Sequence, residues 1–246
     1  KEGKRVVDTE RHFKGRDLVG RLVGVPFFYF PSQRGNVEAP LGPLEGLNMG
    51  YDQILGFQIY TTWDVYDLLN LPRWQGTRWR LFLDYLTERG PGFGTEFDFN
   101  GARLFGTDAR YTGMVKLYGL VDNGQDRLGG GRGTTVFWPD AVTAIPIDHP
   151  DFRGWAYGKV NVQDLPAGFT VLGQFSFLRD RNFLEQFYFN THLNDLNQNT
   201  YLYAKQQQEN WAWSFFTQIS VREWVTETDW LPKLDGYLTG QTFLDD

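Results

Sequence analysis

Apolar and polar side chains alternate along most of this chain with a period of two. In residues 211–222 the odd positions carry Trp211, Trp213 and Phe215, whereas the even positions are small or polar apart from Phe216. Because successive side chains of a β-strand point to opposite faces of a sheet, this pattern predicts a strand with one aromatic and one polar face. The same alternation occurs in residues 55–65, 79–86, 93–99 and 169–177.

Further strand candidates alternate less completely. They cover residues 114–120, 155–162, 200–207 and 234–239. Helical periodicity is almost absent; residues 180–195 are the most helix-like stretch, although residues 187–189 suit a strand or an ordered loop equally well. Turn-rich stretches separate the candidates, so the pattern predicts an all-β chain of roughly nine strands in an antiparallel meander.

The first part of the chain has a different pattern. Residues 17–24 alternate loosely and lead into an apolar block at residues 25–31, after which residues 32–46 are rich in Gly and Pro. That composition is typical of a linker or a re-entrant loop. We therefore expect two regions, 1–46 and 47–246. Because the sequence starts with Lys rather than Met, we also expect a piece of a longer product.

Composition narrows the classes of function. With 24 Lys and Arg against 30 Asp and Glu, the net charge of −6 provides no basic excess for nucleic-acid phosphates, so we expect no nucleic-acid partner. The absence of Cys excludes disulfides, Cys-ligated metals and a Cys nucleophile. No apolar stretch approaches the roughly 18 residues of a helical membrane span. Aromatic residues make up 17% of a chain whose mean hydropathy is only −0.44.

Two environments suit the aromatic faces of the predicted strands. A soluble β-sandwich buries one face of each sheet, usually with Val, Ile and Leu. An outer-membrane β-barrel exposes an apolar face to lipid, with aromatic girdles at both interfaces and strands of about 9–11 residues. Tryptophans near predicted strand ends favour the barrel, and the soluble β-protein stays open as the alternative. These tryptophans are Trp63, Trp79, Trp155, Trp211, Trp224 and Trp230.

In a barrel, the polar partners of the alternation would face a watery lumen. The charged members of this predicted lumen-facing set are Asp64, Arg80, Asp84, Glu96 and Asp98.

The sequence contains residue types that serve in catalysis, but they do not form a recognisable catalytic motif. The pairs Glu96/Asp98 and Asp84/Glu88 could serve in glycoside hydrolysis, but a polar strand face displays the same spacing. No Ser lies in a Gly-x-Ser-x-Gly motif. Three histidines stand apart from any partner at metal-ligand spacing: His12, His149 and His192. We therefore predict no enzyme, no metal and no cofactor.

Four short motifs, through their order and spacing, resemble the LptD family of lipopolysaccharide-assembly outer-membrane proteins, also called organic solvent tolerance proteins. Residues 25–31 resemble the block that ends the family's periplasmic jelly roll. Residues 79–99 are similar to its strand, Arg-Gly turn and Glu-containing strand. Residues 175–184 resemble a strand-to-loop motif, and residues 230–235 a Leu-Pro motif that leads into a later strand.

The resemblance implies a fold and a function. The chain would contain the end of a β-jelly-roll followed by the first part of a large transmembrane β-barrel, which in the family closes with about 26 strands. It would insert lipopolysaccharide into the outer leaflet of the bacterial outer membrane, with its N-terminal segment in the periplasm. The implied partners are lipopolysaccharide, a plug lipoprotein and a periplasmic jelly-roll bridge protein. A porin-like barrel and a soluble carbohydrate-binding β-domain are the alternatives.

The resemblance also implies roles for two groups of residues near the N-terminus. The apolar block would line the lipid path at the domain junction, or simply pack there; it consists of Pro26, Phe27, Phe28, Tyr29, Phe30 and Pro31. Pro40 and Pro43 would lie near the gate beside the first barrel strand. Because proline donates no ladder hydrogen bond, they would either weaken that seam or only shape the linker.

Overall fold

A computed structural model describes residues 12–22, 25–36, 42–126, 149–195, 198–222, 224 and 229–240 of the chain. The strands are β1 (His12–Leu22), β2 (Val25–Asn36), β3 (Leu44–Asp52), β4 (Gly56–Asp64), β5 (Thr77–Leu86), β6 (Gly90–Ala102), β7 (Arg110–Val121), β8 (Phe152–Leu165), β9 (Phe169–Leu178), β10 (Thr200–Gln207), β11 (Trp211–Ile219) and β12 (Trp230–Leu238). The helices are α1 (Val65–Leu68), α2 (Phe183–Phe187) and α3 (Phe189–Asn194). In the described part of the chain, no helix is long and apolar enough to cross a membrane.

The strands form two antiparallel sheets. β1 pairs with β2 in a two-stranded sheet, and β3 to β12 form a ten-stranded sheet in which every strand pairs with its neighbours in sequence. The predicted all-β meander is therefore confirmed. The large sheet is open, because β3 and β12 are its two edges.

Each of the nine predicted strands corresponds to one strand from β4 to β12, whereas β3 was missed. Gly46 and Gly50 give β3 the composition of a turn, and a register shift near Gly46 interrupts its pairing with β4. The prediction that residues 32–46 form a linker is wrong at both ends. Residues 32–36 pair with β1, and β3 starts at Leu44, because ladder hydrogen bonds outweigh local composition.

The helix-like stretch after β9 forms α2 and α3, so the strand interpretation of residues 187–189 is wrong; only Tyr188, between the two helices, is non-helical. The helices form because Phe183 and Leu184 reach the sheet and are buried there. They join a core cluster in which the sheet contributes residues from β5, β7, β8 and β9. Its sheet members are Leu86, Tyr118, Leu120, Trp155 and Leu178.

The connections differ between the two ends of the ten-stranded sheet. The loop end carries the turns after β3 and β5 and the long connections 122–151 and 179–199. The turn end carries the short connections 103–109, 166–168 and 208–210, together with the longer connection 65–76, which contains α1.

Candidate functional site

The two faces of the ten-stranded sheet have opposite polarity and opposite burial. The inner face, on which α2 packs, buries polar side chains such as Asp64 and Ser176, each only 1% exposed, beside the apolar core cluster. The outer face exposes large apolar side chains, with Phe93 at 50% and Leu117 at 49%. Soluble proteins bury apolar and expose charged side chains, so this sheet is inverted relative to that arrangement.

The predicted lumen-facing residues lie together on the inner face. The register aligns one inner-face residue from each of six neighbouring strands in a row: Asp64, Arg80, Glu96, Lys116, Tyr157 and Ser176. Arg80 donates to Glu96, and its Nη2 lies 2.7 Å from Oδ2 of Asp98. Lys116 Nζ lies 3.6 Å from Oε2 of Glu96. Opposite charges thus neutralise one another along the row.

Asp84, the remaining predicted residue, is held on the same face by a tyrosine. The Tyr118 hydroxyl donates to Asp84 Oδ2 at 2.7 Å, and the Thr61 amide donates to Oδ1 at 3.3 Å. Gly92 and Gly94 make room for the Tyr118 ring, because a Cβ at either position would collide with it. The glycines of β6, which in sequence resemble turn residues, therefore serve packing.

An aromatic cage surrounds the ammonium of Lys116. Its Nζ lies 4.7 Å from the ring centroid of Tyr188, 5.1 Å from Trp155 and 5.4 Å from Phe82. Such cation–π contacts stabilise a charge that is partly withdrawn from water. A cavity of about 280 Å³ separates this part of the inner face from α2 and α3. It offers the Asp84 carboxylate, the Lys116 ammonium and aromatic surfaces to a polar guest.

A buried ion cluster closes the loop end of the inner face. Arg89 Nη2 lies 2.6 Å from oxygens of both Asp122 and Asp126, and Arg153 Nη1 contacts the same two oxygens at 2.9 and 2.6 Å. Arg153 also forms a two-pronged contact with Asp180 at 2.9 and 2.6 Å. The cluster therefore ties the turn after β5 to both long connections of the loop end.

The charges of this ion cluster shift the pKa of Asp126. Burial by itself would raise that pKa, but hydrogen bonds and charges from Arg153 and then Arg89 outweigh burial and lower it. Phe187 stacks beneath both guanidinium groups, at 5.1 Å from Arg89 and 5.2 Å from Arg153. Sequence patterns carried no sign of the cluster, because its members come from segments far apart in the chain.

One trio in this region has metal-ligand geometry. Ligand atoms of Asp122, Asp126 and His149 all lie within 4.8 Å of one another. His149 thus has acidic neighbours that its position in the sequence did not suggest. However, Arg89 and Arg153 already bind both carboxylates, so two positive charges stand where a cation would have to approach.

Aromatic rings make up much of the outer face. At the turn end, ring contacts of 6.1–6.3 Å run without a break through Tyr66, Trp79, Phe97, Phe99 and Tyr111. At the loop end the exposed rings are Tyr51, Phe57, Tyr85, Phe93, Phe152 and Phe177. Aliphatic or small side chains lie between and beside these rings: Leu83 pairs directly with Phe93, Val115 with Phe97 and Ala156 with Phe177.

The predicted position of two tryptophans on the apolar face is wrong: Trp224 packs against the inner-face core cluster, and Trp155 belongs to it. Trp155 was expected on the apolar face near a strand end, but it is buried on the inner face. Its Nε1 donates to Oε1 of Gln198 at 3.0 Å, and its ring packs 5.0 Å from Tyr188. The alternation breaks at this residue because α2 and α3 make part of the inner face a hydrophobic core.

The residues predicted near the N-terminus lie away from this inner-face site along the chain. Residues 26–31 form part of β2, where Phe28 pairs with Gly20 and Phe30 with Leu18. Pro40 lies outside the described residues. Pro43 directly precedes the edge strand β3, and its carbonyl accepts a hydrogen bond from the Asp64 amide at 2.7 Å.

Comparison with known proteins does not identify a family: no family model matches the sequence, and no curated protein matches it.

Proposed function

We propose that this chain is a membrane-embedded part of an outer-membrane translocon that inserts lipopolysaccharide into the outer leaflet. The observation that carries the proposal is the contrast between the two faces of the ten-stranded sheet: one carries charged, hydrogen-bonded side chains and is partly covered by α2, and the other is apolar and exposed. The motif resemblance to the LptD family supplies the choice of substrate.

The outer face has the surface that a bilayer favours. Large exposed apolar patches on a protein mark contact with a membrane or another protein. The aliphatic and aromatic side chains of this face together suit the apolar, ring-rich surface that outer-membrane strands turn to lipid. The ten strands have 8 to 14 residues, compared with the 9–11 that a tilted strand needs to cross the hydrocarbon.

The inner face suits the head of an amphipathic lipid. Lipopolysaccharide carries a polar, phosphorylated sugar head and apolar acyl chains. The row on β4 to β9, with charges on β4 to β7 and hydroxyls on β8 and β9, offers hydrogen bonds to such a head. Catalysis is not part of the proposal, because insertion breaks no covalent bond.

The ends of the sheet suggest an orientation. Outer-membrane strands are joined by short turns on the periplasmic side and by longer loops outside. We therefore assign the turn end to the periplasm and the loop end to the cell surface. This assignment also leaves β1 and β2 in the periplasm, since β3 enters the sheet from the turn end.

The open edges of the sheet set a further requirement. Unpaired backbone groups of β3 and β12 would cost several kcal/mol each in hydrocarbon. On this proposal, additional strands pair with both edges. A plug lipoprotein and a periplasmic jelly-roll bridge protein are proposed as the protein partners.

The first test is membrane placement. The protein is expressed in its native host, cells are fractionated, and outer-membrane protein is run on gels with and without heating. We expect the protein in the outer-membrane fraction, with migration that changes on heating because a folded barrel resists detergent. A freely soluble monomer would refute the proposal and favour a carbohydrate-binding β-domain.

The second test separates lipopolysaccharide insertion from other barrel functions. The protein is depleted, and lipopolysaccharide at the cell surface is labelled with a membrane-impermeant probe. We expect surface labelling to fall while lipopolysaccharide accumulates inside, and re-expression to restore it. Normal surface delivery with loss of small-solute uptake would instead indicate a porin-like barrel.

A further inference from the structure

The connection 65–76 forms an apolar groove against the outer face at the turn end. The groove has a volume of about 490 Å³ and is lined by Tyr66, Leu71, Pro72, Trp74, Trp79 and Phe97. Sites of this size and composition hold small ligands or parts of larger ones. The other connections at this end are shorter. The additional residues of the connection 65–76 form one wall of the groove.

The walls of the groove are ordered by contacts within the protein. The Tyr66 hydroxyl lies 2.7 Å from Oγ1 of Thr77, and Trp79 Nε1 donates to Oγ1 of Thr95 at 2.8 Å. The rings of Tyr66 and Phe97 both meet the Trp79 ring edge to face. The groove is therefore preformed, which lowers the entropic cost of filling it.

The wall formed by the connection is unusually apolar for an exposed segment. Trp74 is 66% exposed, and Leu68, Leu69 and Leu71 are exposed as well. Two lining residues, Trp79 and Phe97, also belong to the outer face. The groove is thus continuous with the surface that, under the proposed function, contacts lipid.

A pair of opposite charges stands beside the groove. The Arg73 guanidinium carbon lies 5.5 Å from the Tyr66 ring centroid, and Arg73 Nη2 lies 3.6 Å from Oδ1 of Asp67. The same Nη2 donates to Oδ2 of the buried Asp64 at 2.7 Å, which anchors Arg73, while the side chains of Arg73 and Asp67 stay about half exposed. The exposed part of the guanidinium and the Asp67 carboxylate therefore lie side by side, as a cation and an anion that complement the phosphate and the ammonium of a zwitterionic head group.

We propose that this groove binds one acyl chain of a zwitterionic phospholipid, with the phosphate near Arg73 and the ammonium near Asp67. The inference rests on the proposed function, since it places the turn end in the phospholipid leaflet of the outer membrane. The bound lipid would fill the seam between the connection and the sheet. An apolar segment of a partner protein is the competing occupant.

Photo-crosslinking in a defined bilayer tests the proposal. The protein is purified from the outer membrane together with the strands that pair with β3 and β12, and is reconstituted into vesicles that contain phosphatidylethanolamine with a diazirine on one acyl chain. Labelled peptides are mapped by mass spectrometry. We expect the label to concentrate on residues 66–79 and on the peptide that contains Phe97. A phosphatidylglycerol probe should label these peptides less, and Asp67→Asn should remove that preference.

Two variants perturb the groove in opposite ways. Trp74→Ala removes an exposed wall, and Leu71→Trp fills the groove. Each should reduce groove labelling by about tenfold, the effect of losing one apolar side-chain contact. Trp211→Ala, which removes a tryptophan at the same end outside the groove, should leave it unchanged. Heat-modifiable migration of every variant checks that it has folded.

The outcomes separate this inference from the proposed function. Even labelling of the whole outer face that neither groove variant changes would overturn the inference, while membrane placement would stand. Crosslinks from a partner protein in place of lipid would overturn it as well. A chain that stays out of the vesicles and takes up no label would refute both.

Discussion

The inner and outer faces of the ten-stranded sheet result from the same alternation of polar and apolar residues along the strands. The interactions of their side chains differ. On the inner face, Arg80 and Lys116 both pair with Glu96, and Lys116 also contacts the Tyr188 ring. On the outer face, Leu117 and its neighbours project away from the protein with no cover among the described residues. The charged side chains of the inner face have partners within the protein, whereas under the proposed function the apolar side chains of the outer face contact lipid.

The comparison also shows that burial alone does not indicate stabilisation. A buried ion pair offsets most of its Coulomb attraction by desolvation, so the cluster around Arg153 positions the loop-end connections more than it stabilises them. Removing one member is a different matter, because the remaining charges would stay buried without a partner.

The largest effect is expected from Arg153→Met. This change leaves the Asp122, Asp126 and Asp180 carboxylates with fewer cations and should lower the free energy of unfolding by about 3–5 kcal/mol. Denaturant titration in detergent micelles measures it. The matched control is Arg110→Met, which breaks an exposed pair with Asp164 and should cost at most about 1 kcal/mol. Equal losses of unfolding free energy in the two variants would show that the ion cluster around Arg153 is not buried away from water.

The next effect concerns the outer face. Leu117→Arg places a charge in the middle of the apolar band and should cost about 2–4 kcal/mol for the protein folded in lipid. Phe105→Arg, on an almost fully exposed hairpin residue at the turn end, should cost at most about 1 kcal/mol. Unfolding titrations in vesicles compare the two. A neutral Leu117→Arg would mean that this face meets water.

A smaller effect is expected at the inner-face hydrogen bonds. Tyr118→Phe removes the donor to the buried Asp84 carboxylate and should cost about 1.5–3 kcal/mol, typical of hydrogen bonds to charged groups. Tyr157→Phe removes a longer, neutral bond to Gln174 and should cost about 0.5–1.5 kcal/mol. Unfolding titrations at neutral pH measure both. A larger loss of stability for Tyr157→Phe than for Tyr118→Phe would contradict the expectation that the charged Asp84 carboxylate makes the stronger hydrogen bond.

The loop end should respond to acid through Asp126. Its pKa is lowered in the folded protein, so its contribution to stability is present above the unfolded-state pKa of about 3.9 and is lost as the pH falls further. We expect unfolding titrations between pH 6 and about pH 2 to show a loss of stability that starts near pH 4. Asp126→Asn should flatten that part of the curve. An unchanged curve in the variant would assign the acid response to other carboxylates.

The smallest effect is expected at Asp67, near the groove. Burial raises its pKa, the nearby Asp64 raises it further, and Arg73 only partly opposes them. A raised pKa means that its contribution to stability is largest in acid and is lost as the pH rises through the folded pKa. Asp67→Asn should therefore stabilise the protein at neutral pH, by no more than about 0.5 kcal/mol, because the side chain is half exposed. Clear destabilisation would show that the contact with Arg73 dominates.

Most of the sheet could be predicted from the sequence because strand alternation is a local property. The period of two located β4 to β12 and placed Asp64, Arg80, Asp84, Glu96 and Asp98 on one face without any knowledge of neighbouring strands. β3 escaped prediction because its glycines obscure the alternation. Trp155 was assigned to the wrong face because helices cover it from a distance along the chain.

By itself the sequence determined that the chain forms strands with two unlike faces and that its charged residues share one of them. The tertiary structure decided which face is covered, how Arg89, Arg153 and their three aspartates meet, and where the connection 65–76 builds a groove. The physical reason is the distance along the chain between the residues that determine each property. Side-chain direction along a strand depends on adjacent residues alone, whereas burial and ion pairing depend on segments that only the folded sheet brings together.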